Sequence, residues 1–335
     1  MVSNLIRPAL VAVLVAVVPL GAQVAADDLS PLPIERLVVF GDSLSDPGNA
    51  FIATGEFEVR PFDPIPDAPY LIGRFHFTNG PTWIEYLAGD IRLRRGGKPA
   101  LLRPGVYTNY AFGGARARLN GPLDLSGQIA RFLADFDGDA SPETLYVLWI
   151  GATDLRDAAE AAAVDLNAGL GIIAQAIGAT ASSIQRLYDA GARSFLVLNL
   201  PNIGDTPAAR ALDPEARDDA RALSEGYNFG FDQTPIVGLE ATLEGLRNSL
   251  DDIIIVSFDV FAGLEEVVAN PELARLTNVT DSCITPGVFI GAICLQPHKY
   301  LFWDFIHPTT KGHEYLSEQV RASLEMELFI GEPVF

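Results

Sequence analysis

The 335-residue sequence is short of positive charge. It contains 23 Lys and Arg against 43 Asp and Glu, which gives a formal net charge of −20. A chain this acidic has no electrostatic means of holding nucleic acid or an anionic membrane surface. We therefore expect a soluble product with neither nucleic acid nor a charged membrane among its partners.

Long apolar runs are also absent outside the N-terminal segment. Residues 1–26 hold one cation, Arg7, then an apolar run and small residues, with Val24 and Ala26 suited to positions −3 and −1 of a cleavage site. This layout predicts a secretory signal peptide. An uncleaved anchor is the alternative, but the apolar core is shorter than the ~18 residues that a membrane span requires. We expect a secreted or periplasmic product, residues 27–335, that forms a single domain without a stable membrane anchor.

Cysteine is scarce, and only Cys283 and Cys294 are present. In an exported protein, an even and closely spaced pair predicts a disulfide. Such a bond closes a short loop and stabilises the fold by on the order of 3 kcal/mol in the chain-entropy model. Two unpaired thiols are the alternative. A zinc site is not expected, because no second pair of ligands lies nearby.

Short apolar segments alternate with segments of helical character. The strand candidates are residues 36–40, 107–112, 144–150, 194–200 and 252–258, and the helix candidates are residues 156–189, 214–248, 261–269 and 308–327. Strands separated by helices predict a parallel sheet with helices on both faces. Residues 51–106 interrupt this pattern with many Pro, Gly and aromatic residues. They are interpreted either as a packed surface loop or as a wall that faces the substrate.

Two polar segments could supply a nucleophile and its base. Ser43 lies in "VVFGDSLSDPGNAF", directly after the first strand candidate, and His307 is one of only four histidines. Asp304 precedes His307 by three residues, and Pro308 follows His307. Pro308 can occupy the first turn of the last predicted helix, which would fix the chain just before it. A serine attacks a carbonyl when a base takes its proton and an acid orients that base. By itself, however, the Asp-x-x-His pattern is typical of an ordinary helix-entry turn.

Five segments together resemble blocks of the GDSL, or SGNH, family of serine esterases and lipases. They occur in the family's order: "FGDSLSDPGN" (40–49), "GRFHFTNGPTWIEYLA" (73–88), "NYAFGGA" (109–115), "WIGATDL" (149–155) and "DFIHPT" (304–309). The resemblance implies a three-layer α/β/α fold with a mainly parallel, five-stranded, flavodoxin-like sheet. It also implies that Ser43 is the nucleophile, His307 the general base and Asp304 the acid that orients the base.

The resemblance implies an oxyanion site as well. Its donors would be the backbone N–H groups of Ser43 and Gly114, with Gly113 as the next choice. Thr153 stands where the family has an Asn donor. A Thr hydroxyl can donate one hydrogen bond, but its reach is shorter. Three outcomes are open: Thr153 replaces Asn in part, a water or a neighbour donates, or the oxyanion site is weaker. We predict partial replacement by Thr153.

Other polar residues in these blocks are interpreted as structural. Short acidic and amide side chains stabilise tight turns through backbone hydrogen bonds, and this applies to Asp42, Asp46, Asn49 and Asp154. His76 and His313 are interpreted as surface or packing residues.

The predicted function is secreted hydrolysis of carboxylic esters through an acyl-enzyme on Ser43, with no cofactor and no metal. An acyltransferase with the same triad is one alternative, and a non-catalytic lipid- or carbohydrate-binding module is another. The resemblance leaves the ester substrate broad, from short-chain esters to lipid acyl chains and acetylated carbohydrates. The sequence does not determine the oligomeric state.

Overall fold

Four parallel strands form the central sheet in the order β1-β2-β3-β4. They are β1 (Arg36–Gly41), β2 (Thr144–Trp149), β3 (Ser194–Leu198) and β4 (Ile254–Phe258). The computed structural model describes residues 34–330, so the predicted signal peptide over residues 1–26 lies outside the described residues. Every residue of β2 is buried, because helices cover both faces of the sheet. This double burial explains why the strands have continuous apolar sequences.

The sequence-based prediction of a fifth strand at residues 107–112 is corrected by the structure, because this segment is not a strand of the sheet. The segment runs parallel to β1 and donates from the amide of Tyr110 to the carbonyl of Val39. The next hydrogen bond of a parallel ladder would run from the N–H of Gly41 to the carbonyl of Tyr110. It is missing, because the N–H of Gly41 donates to Oε1 of Gln128 at 3.0 Å. The side chain of Gln128 thus takes the donor that a continuous strand would need. The segment therefore borders the four-stranded sheet without being a strand of it.

The helices form two layers, and the three-layer α/β/α architecture is confirmed. Successive strand residues alternate between two apolar cores, with Val38 and Phe40 in one and Leu37 and Val39 in the other. This alternation is the period-two geometry of a strand. The helices are α1 (Asn49–Thr54), α2 (Trp83–Asp90), α3 (Leu125–Asp135), α4 (Ala152–Ala162), α5 (Leu166–Asp189), α6 (Pro207–Arg210), α7 (Pro214–Phe229), α8 (Leu239–Ser249), α9 (Val260–Ala269) and α10 (Thr310–Ile330).

Two of the predicted helices are each divided in the structure. The segment 156–189 is split between α4 and α5, and Asp165 begins α5 by accepting a hydrogen bond from the amide of Asn167. The segment 214–248 is split between α7 and α8, since Gly230 ends α7 with φ at 98°. Side-chain capping and left-handed glycine end helices more sharply than apolar periodicity indicates.

A second, two-stranded sheet pairs β5 (Asn278–Ser282) with β6 (Tyr300–Phe302) in parallel. The segment between these strands carries the predicted disulfide, Cys283–Cys294, which is present with an S–S distance of 2.04 Å. The alternative of two unpaired thiols is therefore wrong. Among the described residues, we find no helix with both the length and the apolar character to span a bilayer.

Candidate active site

Ser43 lies on a tight turn at the carboxyl end of β1. Oδ1 of Asp42 accepts from the amide of Leu44 at 3.1 Å, and the carbonyl of Asp42 accepts from the amide of Ser45. Burial raises the pKa of Asp42 to about 6. The Asp42 side chain thus stabilises the turn through a backbone hydrogen bond, while Ser43 is half-buried at the edge of the sheet. Open parallel sheets bind their ligands at this edge.

His307 connects Ser43 to Asp304. Nε2 of His307 lies 2.8 Å from Oγ of Ser43, and Nδ1 lies 2.7 Å from Oδ2 of Asp304. When Nδ1 carries the proton, it donates to the carboxylate and leaves Nε2 to accept from the serine hydroxyl. His307 and Asp304 are both buried. The structure therefore brings the three sequence-predicted residues together in the order that serine chemistry requires.

The carboxylate of Asp304 is held by further donors. Its Oδ1 accepts from the amides of Ile306 and His307 at 2.8 and 2.6 Å. Its Oδ2 also accepts from the hydroxyl of Tyr70 at 2.9 Å. Burial, followed by the neighbouring Asp304 charge, raises the pKa of Tyr70, so the hydroxyl remains a donor. Sequence reasoning missed Tyr70; its only signal was its place in the aromatic segment 51–106.

Gly114 and Gly113 differ in the use of their amides. The amide of Gly113 donates to Oδ2 of Asp46 at 2.9 Å, so it is engaged within the protein. Gly114 has φ at 77° and lines the same cavity as Ser43. We find no acceptor for its amide within residues 34–330. The left-handed conformation strongly favours glycine at position 114, and this amide is the better placed of the two to bind a ligand.

Thr153 is the second residue of α4, in the turn that follows the cap residue Gly151. It is 9% exposed and lines the cavity together with Ser43 and Gly114. Its hydroxyl has no hydrogen-bond partner within the described part of the chain. The positive end of the α4 dipole lies at this position. The side chain is therefore near the serine, and its role as a donor remains a prediction.

The residues interpreted as structural do make backbone hydrogen bonds. The carboxylate of Asp46 accepts from the amides of residues 48–50 as well as from Gly113. It therefore ties the serine turn to the glycine segment. Asp154 is fully buried and pairs with Arg118 at 2.7 Å.

The two remaining site histidines are buried rather than on the surface. His313 lies on α10 and is 1% exposed, and we find no partner for its Nδ1 within the described structure. Burial lowers the pKa of His313 to about 3. His76 places Nε2 at 2.6 Å from Oε2 of Glu85. Both side chains are packing residues, although His313 also lines the cavity.

A cavity of about 630 Å³ opens at Ser43 and extends between α9 and α10. Most of its lining residues are apolar, and its polar lining residues include Ser43, Thr153, His307, Arg156 and Glu160. Its apolar lining residues near α9 and α10 include Leu264, Val267, Phe302, Leu301 and Leu316. Within residues 34–330 no cluster of three or more His, Cys, Asp or Glu side chains could hold a metal ion. The arrangement suits an apolar ligand whose polar end lies against Ser43.

Comparisons with known proteins agree with the sequence resemblance. The family model described as GDSL-like Lipase/Acylhydrolase matches residues 37–320. The chain is 27% identical to a thermolabile hemolysin of Vibrio parahaemolyticus over 88% of this chain and 65% of the hemolysin. It is 26% identical to the phosphatidylcholine-sterol acyltransferase of Aeromonas hydrophila, over 91% of this chain and 94% of that protein.

Two further similarities extend this comparison. A GDSL esterase/lipase of Arabidopsis thaliana is 27% identical over 88% of this chain and 90% of its own length. A solved Bacillus subtilis protein superimposes with a TM-score of 0.43 and 14% identity, over 90% of this chain and 59% of that one. The chain thus spans just under two thirds of the hemolysin and nearly the whole of the acyltransferase and the plant protein.

Proposed function

Because the chain belongs to the GDSL-like lipase/acylhydrolase family, we propose that it hydrolyses carboxylic esters through an acyl-enzyme on Ser43. The proposal is carried by one observation, the continuous series of hydrogen bonds from Ser43 through His307 to Asp304. Such a series activates a hydroxyl that is otherwise a weak nucleophile at neutral pH. A non-catalytic binding module has no need of it.

In the first half of the reaction, Oγ of Ser43 attacks the carbonyl carbon of the ester. Nε2 of His307 takes the hydroxyl proton, and the ionised Asp304 stabilises the imidazolium through Nδ1–H. His307 then gives this proton to the leaving alcohol oxygen as the C–O bond breaks. Tyr70 donates to Asp304 and keeps the carboxylate oriented toward the imidazole.

Negative charge develops on the former carbonyl oxygen during the attack. We propose that the amides of Ser43 and Gly114 donate to it, with the hydroxyl of Thr153 as a partial third donor. A fixed donor at this point typically contributes about 3–4 kcal/mol to transition-state stabilisation. The conformation of Gly114 supports this assignment, because glycine adopts its positive φ readily and its amide has no acceptor within residues 34–330.

In the second half, His307 activates a water that attacks the acyl-enzyme, which releases the acid and restores Ser43. Attack by an alcohol would transfer the acyl group instead. This second candidate is favoured by the similarity to the Aeromonas hydrophila acyltransferase. Product analysis with an added alcohol acceptor separates the two activities, since hydrolysis yields only free acid and transfer yields a new ester.

The cavity supports a lipid-like acyl group as the substrate. The cavity at Ser43 has a volume of about 630 Å³, and most of its lining residues are apolar. Burial of each methylene contributes about 0.8 kcal/mol, so kcat/KM should increase with chain length until the cavity is filled. A panel of p-nitrophenyl esters of increasing acyl length measures this dependence, and a preference for acetate would contradict it.

We further propose that residues 27–335 act as one exported domain. The disulfide between Cys283 and Cys294 supports an oxidising compartment. N-terminal sequencing of the protein recovered outside the cytoplasm tests the removal of residues 1–26.

The decisive experiment compares p-nitrophenyl ester turnover by the wild type and by Ser43→Ala. We expect kcat to fall by about 10⁴-fold or more, since loss of a serine nucleophile removes most of the catalysis. Ser182→Ala is the matched control, because Ser182 is exposed on α5. A phosphonate should label Ser43 when located by mass spectrometry. Turnover that survives Ser43→Ala, or a label on another residue, contradicts the proposal.

A further inference from the structure

A hairpin closed by the disulfide projects from the domain at residues 283–294. Its stem is joined by an antiparallel bridge between Ile284 and Ile293 and by a hydrogen bond of 2.8 Å from the amide of Thr285 to the carbonyl of Ala292. The S–S bond closes the base of the stem. The hairpin is therefore braced by both covalent and backbone bonds.

Four large apolar side chains of this region are exposed: Val288, Phe289, Ile290 and Leu295. We refer to them as the apolar tip. Phe289 is 64% exposed, Ile290 is 96% exposed and Leu295 is 100% exposed. Residues 282–297 contain no charged side chain. The apolar tip is therefore an uncharged, exposed apolar patch, and such patches mark binding surfaces.

The backbone presents this tip to solvent. Gly287 and Gly291 flank the first three tip residues and have φ at 75° and 72°. Left-handed glycine at both ends reverses the chain direction over a short distance. The exposed tip is thus a feature of the braced backbone, and little conformational entropy would be lost when it binds.

The hairpin that carries the apolar tip is connected to the candidate active site by a short series of contacts. The amide of Gly287 donates to the carbonyl of Phe62 at 3.0 Å, and the ring of Phe62 packs against Tyr70. Tyr70 in turn donates to Asp304. A few residues after Phe62, Ile65 lines the cavity. The hairpin is therefore packed against the segment that forms one side of the cavity.

We propose that the apolar tip inserts into the surface of a neutral or zwitterionic lipid aggregate and holds the cavity beside it. Apolar side chains bind the boundary between headgroups and acyl chains through the hydrophobic effect. The charge of the chain favours a neutral or zwitterionic lipid surface, because a net charge of −20 is repelled by anionic lipid. The proposal goes beyond the hydrolysis proposed above and is tested by binding alone.

A second copy of the chain fits the apolar tip less well. Four exposed side chains form a patch of roughly a few hundred Å², whereas a stable interface buries ~800 Å² per partner. Two copies would also carry like charges of −20 each. Insertion into lipid requires neither a complementary surface nor an opposite charge.

The test measures co-sedimentation of the full chain with large unilamellar vesicles of phosphatidylcholine. All proteins carry Ser43→Ala, so binding is independent of whether the chain hydrolyses esters. Phe289→Ser with Ile290→Ser is expected to lower the partition coefficient at least tenfold. Val164→Ser is the matched control, because Val164 is 91% exposed in the turn between α4 and α5. This control is expected to bind as the parent does.

Several results would overturn the proposal. Equal binding by the parent and the tip variant would do so, as would tighter binding to phosphatidylglycerol vesicles than to phosphatidylcholine. A dimer in sedimentation velocity that the tip variant loses would assign the tip to a second copy. Should the double variant melt at a lower temperature than the parent, Leu295→Ser replaces it, since this side chain is fully exposed; unchanged binding by that variant then overturns the proposal.

Discussion

Replacement of His313 by Leu should make the folded protein less sensitive to acid. The imidazole is 1% exposed on α10, and burial lowers its pKa to about 3. The nearby His307 and His76 act in the same direction. Folding therefore keeps His313 neutral at pH values where the unfolded chain would protonate it.

The size of the effect follows from the difference between the two pKa values. An unfolded histidine titrates near 6.5 and His313 near 3 in the folded state, so the unfolded chain binds the extra proton between these values. The contribution of His313 to the free energy of unfolding is thus complete above pH 6.5 and is lost as the pH falls toward 3. The full loss is about 5 kcal/mol, of which about 2 kcal/mol falls between pH 7 and pH 5.

Urea unfolding followed by tryptophan fluorescence at pH 7 and pH 5 measures this loss. Between pH 7 and pH 5, the free energy of unfolding of His313→Leu should fall by about 2 kcal/mol less than that of the wild type. His298→Leu is the matched control, because His298 is exposed, and it should lose stability as the wild type does. An identical loss in His313→Leu and the wild type would refute the reasoning.

Two further predictions concern the candidate active site. Thr153→Asn is expected to raise kcat for p-nitrophenyl esters by about tenfold, because an amide donor reaches farther than a hydroxyl. An unchanged or lower kcat would show that the side chain at position 153 does not donate to the oxyanion. Tyr70→Phe is expected to lower kcat/KM by about tenfold or more, since a hydrogen bond to a charged group contributes about 1.5–3 kcal/mol, while Phe preserves the ring contact with Trp303. A lower melting temperature with unchanged kcat would limit Tyr70 to packing.

The turn that carries Ser43 and the segment that carries His307 could both be identified from the sequence, because with three other blocks they resemble the GDSL family in the family's order. Each is a short block whose hydrogen bonds are local, as between Asp304 and the amide of His307 three residues later. Local chemistry of this kind leaves a continuous sequence pattern. The predicted disulfide was accessible for a similar reason, since Cys283 and Cys294 are 11 residues apart and are the only cysteines.

Contacts between distant segments left no such pattern. Tyr70 and Asp304 are separated by 234 positions, and one aromatic residue among many in segment 51–106 does not indicate which carboxylate it binds. The choice between Gly113 and Gly114 also required the fold. Gly113 is engaged by Asp46, 67 positions away.

The sequence by itself determined the parallel α/β architecture, the order of the functional blocks and the acidic charge, because apolar periodicity, short motifs and composition are properties of neighbouring residues. Only the tertiary structure decided the extent of the sheet, where Gln128 takes the amide of Gly41 across 87 positions. It also decided which segment the hairpin packs against, through the hydrogen bond from Gly287 to Phe62. These features depend on which distant groups meet, and their geometry exists only after the chain has packed.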